Sequence, residues 1–354
     1  MSLSIGIVGL PNVGKSTLFN ALTKNKAEAS NYPFCTIDPN VGVVKVPDER
    51  LEKLAAISKP EKILPTTIEF VDIAGLVKGA HKGEGLGNQF LSHIRECDAI
   101  CEVVRDFKDN NIIHVDGSID AKRDRETISL ELVMADLESV TKQLAKTSKD
   151  AKSRDKELIK RKGILEKIKE QLDQGKAARE MGLNEEERYL VKGFNLLTIK
   201  PIIYVVNTDN ASFVQSTGDS AREEIFLNVK QEEEIANLDN EEREEYIREL
   251  GLEQSGLEKL IKVSYKLLGL ITFLTTGPDE TRAWTVRAGA KAPEAAGRIH
   301  TDFAKGFIRA EVINWEKFIE AGGEAAAKEK GLVRTEGKDY IIQDGDVCNF
   351  LFSK

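Results

Sequence analysis

No run of about 18 uninterrupted apolar residues occurs in this chain, so nothing in it reads as a membrane-spanning helix. The opening Met-Ser-Leu-Ser leads straight into a strand-like segment, without the basic region and cleavage site of an export signal, and a cytoplasmic location is the expectation. Cysteine is scarce. Cys35, Cys97, Cys101 and Cys348 show neither zinc-ligand spacing nor a disulfide framework, which suits a reducing compartment. Positive charge is not in excess: 51 Lys and Arg stand against 59 Asp and Glu, a net charge of -8. That balance argues against a protein coated in nucleic acid while leaving room for a local basic face. Fixed-period repeats and low-complexity segments are also absent. What remains is the composition of a soluble globular protein, 41% hydrophobic and 31% charged, whose 354 residues exceed one ordinary core and point to two or three folding units.

Short apolar runs at residues 5–8, 68–73, 99–104 and 201–206 end in polar or glycine-rich sequence, as buried parallel strands do. A helix-like stretch from Lys15 to Leu22 follows the first run, and the pattern predicts a doubly wound α/β sheet. Between the third and fourth runs, Leu130, Val133, Leu137, Val140 and Leu144 recur at steps of three and four, and Leu158, Leu165, Ile168 and Leu172 form a second series. Two helices folded back on each other follow from this, a hairpin inserted into the sheet domain over about residues 119–198. From Lys142 to Glu180 there are 13 Lys and Arg against 7 Asp and Glu, a local surplus of +6. A solvated helical surface accounts for that surplus more readily than a phosphate-binding arm does. After Gly269 a hairpin is expected over 271–287, turning at Gly-Pro-Asp-Glu, then a helix near 293–299 and strands near 307–313, 340–342 and 347–352. The division is thus 1–118 with 199–277 for nucleotide binding, 119–198 for the helical hairpin and 278–354 for a small α+β domain.

The segment Gly9-Leu-Pro-Asn-Val-Gly14-Lys15-Ser16 matches Gly, four residues, Gly-Lys-Ser, and it lies between strand and helix as a phosphate loop must. Its glycines let successive N–H groups turn in on phosphate oxygens, the helix N-terminus adds its dipole, and Lys15 adds a full charge. Asn12, Val13, Gly14, Lys15, Ser16 and Thr17 are therefore expected to hold the phosphates, and the Ser16 hydroxyl to reach Mg²⁺. Asp72, in Asp72-Ile-Ala-Gly75, closes the second strand, where a carboxylate orients the metal through its water shell. Gly75 can turn an N–H toward a γ-phosphate, and Thr36 follows the first helix as a candidate for the second hydroxyl on Mg²⁺.

With these residues assembled, the chain resembles the YchF subfamily of Obg-related P-loop proteins, the Obg-like ATPases, over its whole length. The resemblance rests on Gly9–Thr17, Asn31-Tyr-Pro-Phe-Cys-Thr36, Asp72-Ile-Ala-Gly75-Leu76-Val-Lys-Gly79, Asn111-Ile-Ile-His114-Val, Ala283-Trp284-Thr285 and Phe303-Ala-Lys-Gly306-Phe-Ile-Arg309. It implies an inserted coiled-coil arm, a C-terminal TGS domain of β-grasp type, ATP hydrolysis, and association with the ribosome through its large subunit, with RNA contact through arm and TGS domain.

A guanine-specific site of this class carries Asn-Lys-x-Asp after a strand. Here Asn207-Thr208-Asp209-Asn210 lacks the lysine and the final aspartate. An amide at Asn210 can pair with adenine's amino group and ring nitrogen but confronts guanine with a misplaced donor. Asn207, Thr208 and Asn210 are the expected base contacts, with Asp209 serving if the loop is shifted by one residue. Subfamily members usually carry glutamate where Asn210 stands. The residue after Gly75 is Leu76, where Ras-like enzymes place a water-orienting glutamine, and an aliphatic side chain cannot do that. His114 is the candidate instead: a loop histidine taken alone is more often a surface residue, but the proposed catalytic histidine of the subfamily falls on it. His81, His93 and His300 have no comparable support. Three functions compete: an ATPase that switches a ribosome-bound state, a GTP-binding switch of the ordinary Obg kind, and a nucleotide-gated binding module with little turnover.

Overall fold

The computed structural model describes residues 3–24, 38, 40–73, 86–109, 118–150, 155–209 and 222–353. Thr36, Gly75, Leu76, His81, His114 and Asn210 lie outside them. The described residues form two compact units, one drawn from 1–25, 36–42 and 69–260, the other from 26–35, 43–68 and 261–354.

In chain order the first elements are β1 (Ser4–Val8), α1 (Lys15–Lys24), β2 (Val41–Lys45), α2 (Glu49–Ser58), β3 (Lys62–Leu64), β4 (Thr67–Asp72), α3 (Leu86–Glu96) and β5 (Ala99–Arg105). Then come α4 (Ala121–Asp150), α5 (Lys156–Asp173), α6 (Glu185–Val191), β6 (Ile202–Asn207), β7 (Arg222–Leu227), α7 (Val229–Asn237), α8 (Asn240–Glu249) and α9 (Gly256–Leu267). The chain ends with β8 (Leu270–Thr276), β9 (Glu280–Arg287), α10 (Ala292–Ile299), α11 (Thr301–Lys305), β10 (Phe307–Asn314), α12 (Trp315–Ala321), α13 (Glu324–Glu329), β11 (Arg334–Glu336) and β12 (Asp346–Phe352).

The first sheet has the order β2-β4-β1-β5-β6-β7, and its pairs from β4 to β7 are parallel. Ile5, Ile7, Val103 and Ile203 are fully buried in it, as strands covered on both faces require. After β1 the strand order leaves on one side toward β4 and on the other toward β5. The carboxyl ends of these strands are consequently where an open α/β sheet leaves a crevice for a ligand.

The long helix α4 starts on the sheet, packed against β5. Ile128, Leu132 and Ala135 are buried, whereas Leu130 is 55% exposed. The seam expected to open at Leu130 therefore begins at Val133. There Val133 and Val140 join Ile164, Leu165, Ile168 and Leu172 of α5 in one apolar cluster, with Leu137 and Leu144 partly buried against it. Helical spacing alone could not show that the first turns of α4 have the sheet, not α5, as their neighbour. Much of the arm's charge is paired locally: Lys142–Glu138, Arg161–Glu157, Lys162–Glu166 and Lys169–Asp173 stand four residues apart, and Lys160 and Lys167 reach Glu186 and Glu187. Exposed pairs contribute only about 0.2–1 kcal/mol each, so the apolar seam dominates the arm's stability. Lys146, Lys149 and Lys156 have no ion-pair partner among the described residues.

The second unit holds a mixed sheet of order β11-β10-β12-β8-β9-β3, with β12 parallel to β8 and β3 parallel to β9. Side-chain alternation feeds two cores. Phe273, Val286, Val312 and Phe350 face α10, while Leu274, Ala283, Ile313 and Val347 face α2, α12 and α13. The expected hairpin is present, and both its strands, β8 from Leu270 as well as β9, belong to this sheet. The strand expected at 340–342 is only an isolated bridge between Ile341 and Lys291.

Candidate nucleotide-binding site

The carboxyl ends of β1, β5, β6 and β7 surround a cavity of about 660 Å³, within the range of small-molecule sites. At one end lies the turn from β1 into α1. Asn12 and Gly14 adopt positive φ values of 65° and 99°, the backbone that brings consecutive N–H groups to one side. Gly14 has a second reason to be glycine: a Cβ there would lie 2.5 Å from Asn207 Nδ2. Val13 buries its side chain, so its contribution to a phosphate site is main chain.

Lys15 lies half-buried between the turn and the cavity, its Nζ 3.4 Å from the Leu10 carbonyl. Burial lowers its pKa from the usual lysine value, and Asp72 acts in the opposite direction. For Asp72, burial raises the pKa, opposed by the Lys15 charge and by a hydrogen bond from Ser16. Lysine, serine hydroxyl and carboxylate thus meet beside the Gly14 turn, the two charged groups less well solvated than in water. Among the described residues no group of three or more His, Cys, Asp or Glu side chains could hold a metal ion. The donors present are the Ser16 hydroxyl and the Asp72 carboxylate. Such oxygen donors fit Mg²⁺, which usually keeps several waters and takes its other ligands from phosphates.

Asn207, expected as a base contact, stands in the cavity wall and also braces the structure around it. Its Nδ2 donates to the Val13 carbonyl at 3.0 Å and its Oδ1 accepts from the Val229 N–H at 3.2 Å, so both ends of the amide brace the phosphate loop to the start of α7. Thr208 is buried, with its N–H donating to the Leu227 carbonyl at 2.9 Å. Asp209 lines the cavity, as Asn207 does. The other end of the cavity is lined by Phe107, Lys108 and Asp109 after β5, and by Asn228, Lys230 and Glu233 around the start of α7. Sequence reasoning missed these six. Their available signal was position: each follows a parallel strand at the edge where ligands bind, but the charged strand Arg222–Leu227 does not look apolar enough to announce itself. His93 is exposed on α3, and His300 caps α11 through Nδ1, which accepts from the Asp302 N–H at 3.2 Å.

Residues 4–159 match a family model described as 50S ribosome-binding GTPase, and residues 270–353 match YchF-GTPase_C, described as a protein of unknown function. The chain is 53% identical over the full length of both proteins to a protein from Bacillus subtilis (strain 168) named Ribosome-binding ATPase YchF. It is 52% identical, again over both full lengths, to its namesake from Escherichia coli O157:H7. A solved structure titled as the Schizosaccharomyces pombe YchF GTPase superposes with a TM-score of 0.86 at 39% identity, covering 99% of this chain and 98% of that one. With a phosphate loop braced by Asn207, a doubly wound sheet and such identity from end to end, the chain belongs to the YchF family.

Proposed function

We propose that this chain is a Mg²⁺-dependent ATP hydrolase that works on the ribosome. The observation that carries the reading is the meeting of Lys15, Ser16 and Asp72 beside the Gly14 turn, at the mouth of a cavity that can take a nucleotide. Lys15 faces the β- and γ-phosphates, while the N–H groups from Asn12 to Thr17 surround them. Ser16, with Thr36, holds Mg²⁺, and Asp72 orders water on it; bound there, the metal offsets charge on the phosphates. Gly75 supplies an N–H to the γ-phosphate and His114 positions the attacking water. The named relatives support ATP and the ribosome as targets, and the large subunit is the side engaged. Residues 119–198 serve as an arm and 278–354 as the TGS part of the C-terminal sheet, in a cytoplasmic protein.

The base preference rests on the loop 207–210, which lacks the lysine and aspartate of a guanine reader. Calorimetric titration of nucleotide-free protein in Mg²⁺ buffer is expected to give tighter binding of ADP than of GDP, on the order of tenfold, the scale of one misplaced donor. Turnover with ATP should follow the same preference. Equal or reversed affinities would make the chain a GTP-binding switch, and tight binding without turnover a nucleotide-gated module.

Contact with ribosomal RNA is assigned to the part of the arm where Lys146, Lys149 and Lys156 stand unpaired. Cosedimentation with ribosomes should weaken steeply as salt rises. Changing these three lysines to alanine should lower the salt slope, by about one per lost phosphate contact. An unchanged slope would remove the arm from the interface.

A further inference from the structure

Arg105 closes β5 and is 1% exposed, one of the largest fully buried side chains in the protein. A buried guanidinium is costly unless its N–H groups are met, so the direction of its donors tells what it supports. Nε donates to the Phe107 carbonyl at 3.2 Å, and Nη2 to the Asp109 carbonyl at 3.3 Å. Cζ lies 4.4 Å from the centroid of the Phe107 ring. These two acceptors, Phe107 and Asp109, belong to the segment that follows immediately and lines the cavity. That segment is tied on its other side to the end of β6: the Asp106 N–H donates to the Asn207 carbonyl at 2.8 Å, and the Lys108 N–H to Asp209 Oδ2 at 3.1 Å. Arg105 also stands opposite Asn207 in the strand ladder, and Asn207 holds Val13 of the phosphate loop.

We propose that Arg105 is a positioning residue for the base end of the nucleotide cavity. Its planar fork curls residues 106–109 so that the Phe107 ring is presented, at a fixed distance from the phosphate loop, as a face on which a purine stacks. The proposal rests on the nucleotide-site reading given above. Lysine keeps the charge but not the fork or the flat face that lies on the ring. In the Arg105→Lys protein the segment should therefore lose its curl while the phosphate loop, braced separately by Asn207, keeps its shape.

The test uses full-length protein and two probes in Mg²⁺ buffer, ADP and inorganic tripolyphosphate, the second lacking anything to stack. Arg105→Lys is expected to weaken ADP on the order of tenfold, within the range for loss of one base–aromatic stack, and to leave tripolyphosphate within about twofold. KM for ATP should rise by the same factor as the ADP dissociation constant, with kcat at saturation nearly unchanged. Phe107→Ala should reproduce the selective loss, and the double variant should lose little more than either single one, because the arginine acts through the ring. Equal loss of both probes, an unchanged ADP affinity, or additive losses in the double variant would each overturn the proposal. Where thermal unfolding shows Arg105→Lys to be non-native, the same titrations on Arg105→Gln decide by the same outcomes. A parent protein that binds neither probe sinks the nucleotide-site reading itself, and the proposal with it.

Discussion

Lys15→Ala is expected to lower nucleotide affinity or turnover by at least about 30-fold while the protein stays folded. The size follows from removing one partner of a close, poorly solvated charge pair, which costs about 2–5 kcal/mol. Two observations separate this from general damage. The Lys15 side chain is half-buried, and among the described residues its hydrogen bond is a long one, to the Leu10 carbonyl at 3.4 Å, so its loss empties no core. Burial, the larger influence, also lowers the lysine's pKa. The native protein without ligand therefore holds that proton less tightly than the unfolded chain does, and deleting the charge removes a desolvation cost rather than a stabilising contact. Calorimetry with ADP and ATP turnover measure the effect, with thermal unfolding as the control. A folded variant with parental affinity and rate would refute the phosphate-loop assignment.

The phosphate loop was legible because its chemistry is local: Gly14, Lys15 and Ser16 are adjacent, and the flanking strand and helix follow from a few residues on either side. The rest of the cavity lining was not, because it is assembled from the ends of three strands. Phe107 follows β5, Asp209 follows β6, and Lys230 and Glu233 follow β7. The sequence does not say which of these ends stand side by side. The same limit hid the make-up of the second sheet, where β3 pairs with β9 across more than two hundred residues, Lys62 opposite Glu280. Its three residues, Lys-Ile-Leu, carry too little pattern to announce a strand. In α4 the error was of another kind. Leu130 satisfies the helical period as well as Val133 does, and only the identity of the neighbouring element leaves one exposed and the other buried.

Asn207 shows how one side chain in the wall of a ligand cavity can also brace the phosphate loop. Its amide spends one N–H on the Val13 carbonyl and one oxygen lone pair on the Val229 N–H, which leaves a second N–H and a second lone pair at the cavity wall. Asp209, two residues on, lines the cavity too. Its Oδ2 accepts from the Lys108 N–H, so one oxygen of that carboxylate is already committed to the neighbouring segment. The segments after β5 and β6 are thus joined at the cavity wall, by the Asp106 N–H on the Asn207 carbonyl and the Lys108 N–H on Asp209.

His114→Ala is expected to leave nucleotide affinity nearly intact and to reduce turnover by about 10- to 1000-fold, the contribution of one positioned acid–base or water-orienting group. The argument begins with Leu76, which stands where a water-orienting glutamine would be and cannot hold water, although the γ-phosphate still needs a positioned nucleophile. His114 lies nine residues after Arg105, the last residue of β5, and that strand ends at the edge of the sheet bearing the phosphate loop. A group that acts only as the transition state forms changes the rate and not ground-state binding, so dissociation constants and rate constants should separate. Single-turnover hydrolysis at saturating ATP and Mg²⁺ decides the matter. A rate within about twofold of the parent would make His114 a bystander, and the water would then be held by backbone groups or by the ribosome.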